Sequence, residues 1–157
     1  MPTRTYNPKD GLAFQGDVMI APLPKGVSIN KDAIEIPLKN GMLILAEGEV
    51  TGHHHAFRYG LEGVANFRDD GLARDLAIAY PNQIDRVKLF NDPTTLKILV
   101  EKQLVTDASL CIGFIRVEKN APPLTHDEHD GIIFPPGEYY VAGKREFNTE
   151  MRRRVMD

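Results

Sequence analysis

Apolar residues in this chain recur at every second position or in short unbroken runs, and turn-forming residues interrupt them every few positions. That rhythm predicts strands joined by turns rather than long helices. Residues 16–22 predict a first strand, ended by Pro22 and Pro24. Residues 34–38 alternate and suit an edge strand, because Pro37 cannot donate to a ladder. A turn at Lys39-Asn40-Gly41 leads into a strand over 42–46, and a further strand is expected over 50–57. In the middle, Asp70 can cap a short helix that carries Leu72, Leu76, Ala77 and Tyr80 at helical spacing until Pro81.

Beyond it, residues 86–90, 96–101 and 109–118 are rich in apolar side chains and predict three strands. Residues 131–134, the turn Pro135-Pro136-Gly137 and residues 138–142 predict an antiparallel hairpin, with 144–147 extending its edge. Asn148 or Thr149 can cap a last helical turn over 150–155. The expected fold is mainly β: a small single-domain barrel or roll with one or two short helices. Residues 1–157 form the domain, and 58–108 read as an enlarged middle segment.

Composition narrows the function more than the fold. A chain of 157 residues with 42% apolar and 26% charged positions is long enough to bury a core of its own. A net charge of −3 gives no general attraction to nucleic acid or to an anionic membrane. The only basic run, Arg152-Arg153-Arg154, sits between Glu150 and Asp157 and reads as a solvated face. One cysteine, Cys111, excludes an intramolecular disulfide, and its apolar surroundings predict a buried thiol, with metal ligation the lesser alternative. Residues 1–6 lack the apolar stretch of a secretion signal and no segment is long and apolar enough to span a bilayer, so a cytoplasmic location is the default expectation. The substrate or protein partner is open, and a homo-oligomer is compatible with the sequence.

Chemistry concentrates in the histidines. All five fall in two clusters, Thr51-Gly52-His53-His54-His55 and Leu124-Thr125-His126-Asp127-Glu128-His129-Asp130. On a strand, alternate side chains share a face, so His53 and His55 point one way and His54 the other. His126 and His129 are spaced for a turn. Together His53, His55, His126 and His129 can supply three or four nitrogen ligands to one transition-metal ion, with Glu128 or Asp130 adding an oxygen. Such a set suits Zn, Fe, Mn or Ni. If one coordination position is left to water, the expected activity is metal-dependent hydrolysis, with Glu128 or Glu49 as general base.

Other readings stand beside this one. The histidines can hydrogen-bond loops, or two of them can act as acid and base without a metal. The latter needs a cation for phosphate, for which Arg58, Lys144 and Arg145 are candidates. A closed four-ligand site would be structural rather than catalytic, and a non-enzymatic binding module is the alternative class.

Two resemblances follow from these residues. Gly48, His53, His55 and Glu62 resemble the first motif of the cupin superfamily, which implies a metal-holding β roll; Pro135-Pro136-Gly137, however, follows His126 and His129, where a cupin places its turn before the last histidine. Gly16 to Val18, Ala46 to His55, Leu124 to His129, Pro135 to Val141 and Arg145 to Phe147 together resemble a family of small uncharacterised bacterial and phage proteins. That likeness implies a shared site and names no reaction.

Overall fold

The computed structural model describes residues 2–47, 53–58 and 84–144. Its strands are β1 (Thr3–Thr5), β2 (Ala13–Gln15), β3 (Val18–Pro22), β4 (Ile34–Ile36), β5 (Leu43–Glu47) and β6 (His54–Phe57). They continue with β7 (Val87–Asn91), β8 (Cys111–Val117), β9 (Leu124–Thr125), β10 (Gly131–Ile133) and β11 (Gly137–Gly143). One helix, α1 (Pro93–Glu101), stands between β7 and β8. A five-stranded sheet runs β1-β10-β9-β6-β5 and a six-stranded sheet runs β2-β3-β11-β8-β7-β4. Among the described residues neither sheet closes on itself, so the chain is a mainly β double layer and not a closed barrel. No helix among them is long and apolar enough to cross a membrane.

The sequence pattern explains the layers. Along β8 and β11 nearly every position is apolar because both faces of the six-stranded sheet are covered. Ile115, Tyr139 and Val141 point into the core between the sheets, where they join Ile20, Leu43, Phe57, Leu124 and Ile132. Their neighbours Phe114, Tyr140 and Ala142 point the other way, into a second apolar cluster with Ile29, Phe90, Leu99 and Val105. Sheets buried on both faces lose the polar half of the alternation.

Helix α1 corrects the strand expected over 96–101. Asp92 caps it, its carboxylate accepting from the Thr95 N–H at 3.0 Å, and Pro93 occupies the first turn, where its missing N–H costs nothing. The second carboxylate oxygen of Asp92 accepts from the Asn30 N–H at 2.8 Å, tying the helix to the chain before β4. Leu99 fills the second cluster from α1. The Asp-Pro pair was a helix start, and it outweighed the strand-like composition that follows it.

Smaller differences concern edges. Thr3–Thr5 and Ala13–Gln15 form strands that the alternation did not announce. The strand expected over 16–22 begins at Val18, because Gly16 and Asp17 make the two-residue turn of the β2–β3 hairpin, whose register pairs Gln15 with Val18. Gly16 has φ +56°, which suits the first central position of a type II′ turn. The strand expected over 109–118 is preceded by a 3₁₀ turn, Ala108–Leu110. The helix expected from Leu72 to Tyr80, the helical turn over 150–155 and most of the enlarged middle lie outside the described residues.

Candidate metal centre

Strand register assembles the histidines. β6 and β9 run antiparallel, with Ala56 opposite Thr125 and Phe57 opposite Leu124. Carrying that register one step beyond β9 sets His55 opposite His126, and their rings stack at 4.3 Å. Two steps further along, His53 comes opposite Glu128, and its Nδ1 lies 3.1 Å from Glu128 Oε1. β9 and β10 form a hairpin whose loop carries residues 126–130, the turn that the spacing of His126 and His129 predicts. His129 folds back within 4.8 Å of His126, ring centre to ring centre. His54 joins none of these ring contacts; it pairs with Glu47 across β5.

At one corner of this ring cluster, one nitrogen each from His53 and His126 and one oxygen from Asp127 lie within 4.8 Å of one another. Asp127 Oδ1 is 3.4 Å from His53 Nδ1 and 3.6 Å from His126 Nδ1. Ligands held at about 2.0–2.2 Å around a tetrahedral ion are about 3.3–3.6 Å apart, so these separations fit a shared cation. The Asp127 side chain is only 7% exposed, whereas Glu128 is 61% exposed. The backbone N–H of Glu128 donates to His126 Nδ1 at 3.1 Å, so this nitrogen's single lone pair reaches an ion only when that hydrogen bond gives way.

His55 is held differently. It is 4% exposed, and its Nδ1 lies 2.9 Å from Gln15 Oε1. Gln15 reaches in from the end of β2, in the other sheet, and its Nε2 donates to the carbonyls of Leu124 at 3.0 Å and Asp130 at 2.9 Å. With both amide hydrogens committed to carbonyls, Oε1 must accept, and His55 Nδ1 must donate. Nε2 of His55 lies 3.2 Å from Asp17 Oδ1, at the β2–β3 turn.

Burial pushes the His55 pKa down to about 4, with His126 and His129 adding repulsion and Asp17 opposing the shift. Burial lowers the His126 pKa as well, again reinforced by His129. Both rings are therefore neutral near pH 7, the form that ligates a metal.

The other sequence candidates separate cleanly. Glu49 lies outside the described residues, as do Gly48, Glu62 and Arg145. Asp130 offers its backbone carbonyl to Gln15. Arg58 is buried and donates to the hydroxyl and carbonyl of Thr125, while Lys144 lies 5.3 Å over the Phe14 ring. Cys111 packs against the second apolar cluster, and burial pushes its thiol pKa up. Asp127, Asp17 and Gln15 were missed. Asp127 had a signal, lying between two histidines of one cluster. Gln15 and Asp17 had none, because only sheet packing brings them to the site.

An open polar cleft of about 290 Å³ borders the cluster, lined by Arg4, Phe14, Gln15, Gly16, Glu128, His129 and Asp130. A larger one of about 610 Å³ lies by Asn120 and the Pro135-Pro136 turn and contains no histidine.

No curated protein and no solved structure matches this chain. Residues 14–92 match the family described as a domain of unknown function, DUF8820, a span that takes in Gln15, Asp17, His53 and His55 but ends before the loop of His126 to Asp130. The chain belongs to the DUF8820 family.

Proposed function

We propose that this chain is a transition-metal protein whose ion is held by His53, His126 and Asp127, with His55 and His129 in the same ring cluster. The observation that carries the reading is the convergence of three donor atoms within 4.8 Å, with Asp127 Oδ1 3.4 Å from the His53 nitrogen and 3.6 Å from the His126 nitrogen. A nitrogen-rich set with one carboxylate suits Zn, Fe, Mn or Ni, and both buried rings are neutral when the ion would bind. Three protein donors leave a coordination position free, and a polar cleft lined by Glu128 and His129 borders the same ring cluster. When bound, such an ion would polarise a substrate and acidify a coordinated water, the chemistry of a hydrolase. Glu128, exposed and 3.1 Å from His53 Nδ1, is the side chain placed to move a proton there.

A second reading has an observation of its own. The Gln15 clamp and the stacked rings staple β2, β6 and the β9–β10 loop together, so an ion here would also brace the fold, as in a non-catalytic module. An ion that holds an exchangeable water supports the enzyme; one whose fourth position is filled by a side chain supports the module.

Calorimetric titration of metal-free, untagged protein with Zn²⁺ and Mn²⁺ tests the proposal. Asp127→Asn should weaken the ion at this corner by more than the roughly 10- to 100-fold that outer-shell partners cost, while His54→Ala should leave it unchanged. Protein that takes up neither ion, and whose thermal unfolding ignores both chelator and added metal, would overturn it.

A further inference from the structure

We infer that the cleft of about 610 Å³ beside the Pro135-Pro136 turn binds a small organic anion, an aryl or alkyl carboxylate or phosphate. Its charge meets Arg86 and Lys119, and its apolar body lies on Ile133 and the prolines. This site is separate from the ring cluster and does not depend on a metal there. Its floor follows from strand alternation. Ile132 of β10 is in the core between the sheets, so Ile133 is turned outward, with Thr5 of β1 opposite it. Ile133 is left 39% exposed, and Pro123, Pro135 and Pro136 line the same cleft. A cavity of about 300–1,000 Å³ with apolar walls and a few convergent polar groups is the usual form of a small-molecule site.

Charge decides the class of ligand. The chain carries a net charge of −3, yet no carboxylate of the described residues lines this cleft, and Arg86 and Lys119 both do. Asp85 and Glu118 precede them in sequence and lie outside the lining. Among the described residues neither cation belongs to an ion pair. The cleft at the ring cluster is the opposite case, with Glu128 and Asp130 beside Arg4. An anion is therefore drawn to the end of the molecule away from the histidines, and Asn120 adds an amide to receive it. The walls are also fixed in advance. The Glu118 N–H donates to the Arg86 carbonyl at 2.7 Å, and the Ala121 N–H to the Glu118 carbonyl at 3.3 Å, which sets Lys119 and Asn120 in a closed turn. Across the cleft, the Tyr139 hydroxyl donates to the Pro135 carbonyl at 2.7 Å. A site held in this way loses little entropy when it binds.

Chemical-shift mapping on ¹⁵N-labelled, metal-free protein, titrated with phenyl phosphate and with phenylacetate, tests the inference. With at least one of them, the amides of Thr5, Asn120, Ala121, Ile133 and Phe134 should shift together and saturate. Benzyl alcohol, which keeps the ring without the charge, and inorganic phosphate, which keeps the charge without the ring, should each bind about tenfold more weakly or worse. Replacing both exposed cations, Arg86→Ala with Lys119→Ala, should cost about tenfold or more in affinity for the aryl anion, with thermal unfolding unchanged. Ile133→Thr, which keeps a strand-forming residue, should weaken the aryl anion and leave inorganic phosphate as it was. No saturable shift at these amides with either aryl anion would overturn the site. So would shifts confined to the ring cluster, equal affinity for benzyl alcohol, or an affinity indifferent to the double variant.

Discussion

The six-stranded and five-stranded sheets are covered differently. The larger has apolar clusters on both faces, with Phe114 and Tyr140 packed under α1 and Ile115 and Val141 packed into the core between the layers. The smaller contributes Leu43, Phe57, Leu124 and Ile132 to that shared core, and among the described residues no second apolar cluster backs it. The histidines gather where the smaller sheet runs out, at one end of β6 and in the β9–β10 loop, and the larger sheet reaches them through Gln15 of β2 and Asp17 of the β2–β3 turn. The difference teaches where each kind of free energy resides. Most apolar packing lies in the doubly buried sheet, and the polar cluster is mounted on its partner, with Asp127 buried among the rings while Glu128 and Asp17 stay exposed.

Substitutions in the two regions should therefore fail in different ways. The largest effect is expected from Phe114→Ala. Emptying a fully buried aromatic site should cost about 3–5 kcal/mol in chemical denaturation, while the remaining folded protein keeps its metal affinity. Metal affinity that falls in proportion to stability would erase the division between the sheets.

An acid challenge should act on the other region. His55 titrates near 4 when folded and near 6.5 when unfolded, so between those values the unfolded chain binds more protons. Stability is then present in full above about pH 6.5 and declines as pH falls toward 4, by on the order of 2 kcal/mol in metal-free protein. His126, lowered for the same reason, adds to the decline. Denaturation midpoints recorded from pH 7.5 to 4 should show the loss in wild type and a smaller one in His55→Gln; equal slopes would detach the effect from this ring.

The smallest effect is expected at α1. Asp92→Ala removes the helix cap and the bond to the Asn30 N–H, for a cost of about 1–2 kcal/mol, with no change in metal stoichiometry. A change in that stoichiometry would mean that the far face of the larger sheet reports to the site.

Much of this was legible in local pattern. Alternation set His54 apart from His53 and His55, and the histidine spacing predicted the turn at 126–130. The hairpin expected around Pro135-Pro136-Gly137 does not form: the turn carries the chain from one sheet to the other, with β10 paired to β1 and β9 and β11 paired to β3 and β8. The choice of carboxylate was not legible. Glu128 and Asp130 were as near in sequence as Asp127, and only the turn's geometry buries Asp127 between two rings. Gln15 and Asp17 were invisible for a deeper reason: their roles arise from packing one sheet on the other. The helix at 93–101 was misread because β-branched and apolar residues there suit either state, and the Asp-Pro start decided it.

The Gln15 clamp also has a consequence in time. Its two hydrogen bonds join residues 109 and 115 positions apart, and β1 pairs with β10 across a similar span. Closing so long a loop costs entropy that only the finished core can offset, so these contacts form late. A nascent chain would expose His53 to His55 long before the loop of His126 to Asp130 is synthesised. Until both ends have met, the histidines are an unassembled set, and a metal site built from them would have to wait for that closure.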